Sequence, residues 1–382
     1  MTASLPPQAF AAALAGFERM SLHRLATLLR HHSPELAYEV ASGRELAPGG
    51  SVIRRVLDHD AALGHAWRAA ATRHSPEVVW ERCLRLGVNV SIIGDAEHPA
   101  ACVLDPVASP VLFSQGDRSL LEGRRVAMVG TRNATASGRH VARTLGRDLA
   151  DADVHVVSGL ARGIDGHAHL GVFDTVDAGS GAGRPVAVVA SGHDVVYPRE
   201  HRALWHRVAA EGLLLSEYPP GAVPAAYRFP MRNRLVAALS ELVVVVESRE
   251  RGGSLITANA AAERGVPVMA VPGNITSRAA LGVNELLRDG AAPVLDAGDI
   301  LIALQLDHTR SRAPSPDRRH PLQLADVGVH DAVVVGPCTI GEIARRCSSP
   351  LLEVAVSLGR LERDGWVAQV DGWFEALGSP PA

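Results

Sequence analysis

An α/β protein is what this sequence predicts: a doubly wound, mostly parallel sheet between a helical N-terminal unit and a small C-terminal unit. Three observations carry that expectation. Short apolar runs rich in valine and leucine recur between residues 126 and 271 and alternate with helix-patterned stretches. The runs are continuous rather than alternately apolar and polar, the pattern of strands covered on both faces. Several lead straight into Gly or Ser, and strand–turn–helix alternation gives parallel strands joined by helical crossovers.

Residues 8–86 read as helical, with alanine and leucine at helical spacing. Ser33-Pro34-Glu35 and Ser75-Pro76-Glu77 each supply a cap, a proline for the first helical position and an acid for the first turn. Pro48-Gly49-Gly50 marks a turn between helices, and a short strand is expected at Val88–Ile93. The core runs are Val126–Val129, Val154–Val157, Val186–Val189, Leu213–Leu215, Leu242–Val246 and Val266–Val271. Ala178–Gly183 reads as a loop tip.

A polar, proline-rich stretch over 305–320 reads as a linker. Beyond it, Thr339–Arg346 and Pro350–Arg363 are helix-patterned, and Asp371-Gly372 joins Trp366–Val370 to Trp373–Phe374 as a hairpin. Helix, turn, helix and hairpin suggest a winged helix. The expected units are therefore 1–86, 87–304, the linker, and 321–382.

The chain has 382 residues, 47% of them hydrophobic, enough for a large core. No apolar run approaches the roughly 18–20 residues of a membrane helix. Met1–Phe10 carries neither a basic segment nor a long apolar one, so no secretory signal is expected. Cys83, Cys102, Cys338 and Cys347 form no Cys-x-x-Cys pair, which points to reduced thiols and a cytoplasmic protein. The net charge of −3 excludes a protein coated with cations, so any nucleic-acid site must be a local patch. All 38 basic residues are arginines, planar forks suited to bidentate phosphate contact.

Gly130-Thr131-Arg132 follows the first core strand and opens a helix. Unpaired backbone N–H groups and the helix dipole can hold an anion there, and Arg132 adds a charge. A plain turn with a surface arginine fits equally. The loop lacks the lysine of a P-loop and the Gly-x-Gly-x-x-Gly spacing. Ser158–His169 repeats the Gly-rich turn; on a helix only Asp165 and His169 could converge, so capping and packing are favoured over a metal. Tyr227–Arg234 packs arginines against aromatics, the mixture that serves single strands, or else the solvated face of a helix. Gly252-Gly253-Ser254 places Ser254 as a helix cap or a phosphate donor. Val271–Asn274 and Ser216–Gly221 read as turns at strand ends. Open parallel sheets bind ligands at these ends, so several loops should meet in one crevice. No nucleophile–base–orienter set emerges.

Taken in order, Gly130–Arg132, Ser158–Asp165, Phe229–Arg234, Gly253–Thr257 and Val271–Asn274 closely resemble the DprA/Smf family of DNA-processing proteins across roughly 110–295, with Gly282–Leu287 and Gly290-Ala291 fitting its later segment. The resemblance implies an extended Rossmann-like core that binds single-stranded DNA in a basic pocket, a homodimer, and loading of RecA onto single strands, as in natural transformation. It implies no chemistry and no cofactor or metal. Carried over by motif, Gly130, Thr131 and Arg132 would hold phosphate. Arg232, Asn233 and Arg234 would line the same pocket, with Phe229 against sugar or base, and Arg162 and Ser254 extend the set. The family's helical N-terminal domain is matched without its usual glycine-paired hairpin, since Gly16–Ser21 stands in that place; packing or interaction is expected of it rather than DNA contact. The Pro350–Arg363 helix carries few cations, so groove reading is not expected either. The competing expectation is a nucleotide-processing enzyme of phosphoribohydrolase type, with Asp165, Glu217 or Glu247 as its acid.

Overall fold

The computed structural model describes residues 4–305 and 319–377. Six helices come first: α1 (Pro7–Ala15), α2 (Leu22–His31), α3 (Pro34–Ser42), α4 (Val52–His59), α5 (Ala61–Ala71) and α6 (Pro76–Leu86). The two Ser-Pro-Glu starts act as expected: Ser33 and Ser75 accept hydrogen bonds from the N–H groups of Leu36 and Val78. The helices bury Leu14, Tyr38 and Trp67 completely. That core does not stop at residue 86. It continues through Val88, Ile92, Val111 and Phe113, so the helical unit and the first two strands share one apolar cluster.

Among the described residues, the central sheet has nine strands. They are β1 (Asn89–Ile92), β2 (Val111–Gly116), β3 (Arg125–Gly130), β4 (His155–Ser158), β5 (Pro185–Val189), β6 (Leu213–Ser216), β7 (Leu242–Glu247), β8 (Val268–Ala270) and β9 (Ala292–Pro293). Their order is β1-β2-β6-β5-β4-β3-β7-β8-β9, antiparallel at β1 and β2 and parallel from β6 to β9. The six apolar runs are β3 to β8. The sequence reading passed over β2, whose Val111-Leu112-Phe113 is cut short by Ser-Gln-Gly.

Around the sheet lie α7 (Ala100–Val103), α8 (Ala136–Asp151), α9 (Ile164–Ala178), α10 (Arg202–Glu211), α11 (Arg228–Ala238), α12 (Gly253–Ala262), α13 (Leu281–Arg288) and α14 (Ala297–Ala303). Strand periodicity divides β3 between two cores. Val126 and Met128 pack with α8, α9 and α14, while Ala127 and Val129 pack with α11, α12 and α13. The chain winds outward from β3 to β6, then returns to β7 on the other side of β3. The β3–β7 boundary is therefore the point where strand order reverses, the place where such sheets bind ligands.

Past residues 306–318, where most of the expected linker lies outside the described residues, come α15 (Val327–Val334), β10 (Cys338–Thr339), α16 (Ile340–Cys347), α17 (Leu351–Arg363), β11 (Val367–Val370) and β12 (Trp373–Ala376). The order β10-β12-β11 and the helix pair agree with a winged-helix unit. Asp371 and Gly372 both take positive φ, 51° and 84°, the turn that matches strand twist in a two-residue hairpin. Val354, Leu358, Leu361, Trp366 and Phe374 form this unit's own core. The sequence reading did not anticipate α15, because its Val-rich segment lacks a helical stripe. All four cysteines are free, and burial pushes Cys83 and Cys102 up to about 12. Among the described residues, no helix is long and apolar enough to cross a membrane.

Candidate nucleic-acid interface

At the reversal point a cleft of about 650 Å³ opens beyond the carboxyl ends of β3, β4 and β7. Five loops, those after β3, β4, β5, β6 and β7, and the start of α11 surround it. Gly130, Thr131 and Arg132 come from the β3–α8 turn, Asp165 from the start of α9, Phe229, Arg232 and Asn233 from α11, and Gly253 and Ser254 from α12.

Arg232 forms the floor. It is only 5% exposed, and its Nε has no hydrogen-bond partner among the described residues. Burial lowers its pKa to about 10, with Asp165 pulling the other way, so it keeps its charge at neutral pH. Burial likewise raises Asp165, against the opposing pull of Arg232. The guanidinium can lie here only because residue 159 is glycine: a Cβ at Gly159 would stand 1.5 Å from it. A buried cation without an ion pair gains from an anion that enters the cleft.

One wall is the N-terminus of α12. Its N-cap is Gly252, and no side chain caps it. A Cβ on Gly253 would meet nothing within 4 Å, so the backbone there faces open space. The dipole of a ten-residue helix therefore points uncapped at the cleft. Ser254 is not the cap that its sequence position suggested. It sits inside the first turn and donates its hydroxyl to Ser248 Oγ at 2.8 Å. Asn233 ties α11 to this turn through Nδ2 and the Gly253 carbonyl, 3.2 Å apart.

The opposite wall is aromatic. The Arg132 guanidinium lies over the Phe229 ring at 4.8 Å, and Tyr197 approaches the same ring at 5.2 Å with a 44° tilt. Arg249 and Arg251 also line the cleft. Among the described residues, Arg132, Arg232, Arg249 and Arg251 have no carboxylate within ion-pair distance. Four cations thus face one buried carboxylate, Asp165. Such a site can hold phosphate through fixed donors and accept a flat ring against Phe229 and Tyr197.

The structure corrects three expectations. The N-terminus of α8 is not an open anion site, because it is filled from within. Glu247 accepts from Thr135 N and Oγ1 at 2.9 and 2.8 Å, and Glu375 of the C-terminal unit accepts from Ser137 N at 3.4 Å. The Thr131 N–H is spent on the Glu247 carbonyl at 2.8 Å, so Gly130 and Thr131 shape the cleft without that donor. Arg234 does not line the pocket. It is turned under α11, paired with Glu217 and lying 3.7 Å from Asp105 and 3.3 Å from Ser109 Oγ. On a helix, residues 232 and 234 point in different directions, so a tight Arg-x-Arg cannot serve one pocket twice. Arg162 also lies outside the lining, exposed and 3.6 Å from Glu200.

The sequence reading missed Tyr197, Arg249 and Arg251. The two arginines immediately precede the Gly252-Gly253 turn, and that adjacency was the available signal. Tyr197 arrives from the loop after β5 and carries no local mark. Among the described residues, no three His, Cys, Asp or Glu side chains gather as metal ligands.

Comparison with known proteins identifies the family. The family described as DNA recombination-mediator protein A matches residues 89–305. A putative DNA processing protein DprA of Mycobacterium tuberculosis is 44% identical over 325 residues, 84% of this chain and 74% of the relative. The DNA processing protein DprA of Bacillus subtilis is 39% identical over 61% of this chain and 79% of its own. Among solved structures, DNA processing protein A of Streptococcus pneumoniae aligns with a TM-score of 0.61 at 26% identity, covering 78% of this chain and 98% of that one. DNA processing protein A of Helicobacter pylori, described for its unique single-stranded DNA binding mode, aligns at 0.50 and 28% identity over 57% and 96%.

Proposed function

The chain belongs to the DNA recombination-mediator protein A family, and from that premise we propose that it binds single-stranded DNA in the arginine-and-aromatic cleft and passes the strand to RecA. The observation that carries this reading is the convergence on one cleft of Arg132, Arg232, Arg249, Arg251 and the uncapped α12 N-terminus beside Phe229 and Tyr197. The cations take backbone phosphates, and the rings take unstacked bases, which a duplex does not offer. Binding is tolerant of sequence, because every base has a face to stack. The protein acts as a cytoplasmic homodimer and serves recombination of single strands, including those taken up in transformation.

The cleft holds rather than cleaves. A nucleotide-cleaving enzyme needs an acid beside the sugar. Of the three candidate acids, Glu217 is paired with Arg234 and Glu247 is spent on α8, while Asp165, though at the cleft, is buried and accepts from the Gly159 N–H at 3.1 Å. Incubation with the nucleoside monophosphates is expected to release no nucleobase.

The deciding experiment is anisotropy of labelled oligothymidine against a duplex of equal length at two salt concentrations. The single strand should bind more tightly, and both should weaken with salt. Equal affinity for duplex and single strand would overturn the reading.

A further inference from the structure

Two loops bring the cleft's aromatic wall and its α11 into place. The loop after β5, residues 190–198, delivers Tyr197; the loop after β6, residues 217–227, supplies Pro224, Ala225 and Ala226 to the lining and leads into α11. They are bound to each other at two points. Gly192 N donates to the Ala222 carbonyl at 2.8 Å, and Gly221 N donates to Asp194 Oδ1 at 2.7 Å. The second oxygen of Asp194 is taken by Arg82, which reaches across from α6 and donates through Nε to Oδ2 at 2.7 Å. The same guanidinium packs on Gly221, where a Cβ would stand 2.6 Å from its terminal nitrogen.

An exposed ion pair contributes little by itself. Here the Asp194 side chain is only 16% exposed, and both of its oxygens are engaged. The base of the clamp is rigid too. Helix α6 is capped by Ser75, buries Val79 and Cys83, and receives a hydrogen bond at its Leu86 carbonyl from Gln115 of β2 at 2.8 Å.

We propose that Arg82 and Asp194 are positioning residues through which the helical N-terminal unit holds both loops in their binding geometry, without itself touching DNA. The inference rests on the single-strand reading of the cleft, and its test separates the two. In DNA-free protein, Arg82→Met should speed amide hydrogen exchange in residues 192–198 and 219–226. It should also weaken oligothymidine binding by about 2- to 30-fold, the range of couplings carried through packed contacts. The salt dependence should keep its slope, whereas a lost phosphate contact would lower it by about 0.7. Asp194→Asn, which retains an acceptor for Gly221 N, should act in the same direction more weakly, and Arg82→Lys should restore part of both effects. Unchanged exchange in Arg82→Met overturns the clamp, even if the wild type binds no DNA. Faster exchange with unchanged affinity overturns its coupling to the cleft. A lowered salt slope makes Arg82 a direct DNA contact and overturns the positioning role.

Discussion

Arg232 and Arg234 sit two positions apart and do opposite work. Arg232 lines the cleft, while Arg234 is consumed by Glu217 and Asp105 beneath it. Removing one member of a buried pair strands the other charge, so Arg234→Met should cost about 3–5 kcal/mol of stability in denaturant unfolding. Oligothymidine affinity per folded molecule should stay the same; a selective loss of affinity at full stability would return Arg234 to the site. Phe229→Ala removes a stacking surface and should weaken single-strand binding by about 1–3 kcal/mol with little change in salt slope. A slope that falls as it does on losing a cation would show that Phe229 acts only by supporting Arg132. The residue types of the cleft were legible in sequence, because Arg, Phe and Asn crowd into one octapeptide. Which arginine turns inward was not, because its partners Glu217 and Asp105 lie in separate loops.

Helices α8 and α12 begin in the same way in sequence, after a strand and a glycine, yet only α12 presents a free N-terminus to the cleft. Glu247 and Glu375 lie 112 and 238 residues from their partners on α8, so no local pattern could reveal that this end is occupied. The close seat of Glu247 depends on Gly138, where a Cβ would stand 2.7 Å from the carboxylate. Gly138→Ala should destabilise the fold by about 1–3 kcal/mol, the ordinary cost of overpacking, as measured by urea unfolding. An unchanged midpoint would mean that the carboxylate moves aside freely. Element identity was otherwise well marked: the buried parallel strands advertise themselves by continuous valine runs, and the Ser-Pro-Glu starts cap α3 and α6. The valine-rich α15 and β2, apolar only in its first half, were missed, since tertiary packing decides segments whose local pattern is ambiguous.

Across the whole molecule, the reversal of strand order between β3 and β7 sets the cleft, and the N-terminal helices share a core with β1 and β2. The doubly wound sheet was legible from strand–helix alternation; the shared core was not, because it joins residues from Ala11 to Phe113 that no periodicity links. Burial also shapes the response to acid. His193 is held down to about 4 by desolvation, below its ordinary 6.5. A depressed histidine binds its proton in the unfolded chain first, so its contribution is complete above pH 6.5 and is lost as pH falls toward 4. The loss approaches about 1.4 kcal/mol per pH unit. His193→Gln removes the titration, so the stability difference between wild type and variant should shrink on acidification from pH 7 to 4.5. A difference independent of pH would contradict the assignment.

Single-strand binding in the cleft is expected to rest on direct arginine contacts to phosphate. This is tested most directly by the salt dependence of oligothymidine binding for wild type and Arg132→Ala. Each phosphate contact to a single strand adds about 0.7 to the slope of log K against log salt. The variant should bind about 1.5–3 kcal/mol more weakly at low salt, the range for hydrogen bonds to charged groups, and its slope should be shallower by about one contact. Identical slopes and affinities would place the DNA elsewhere on the molecule.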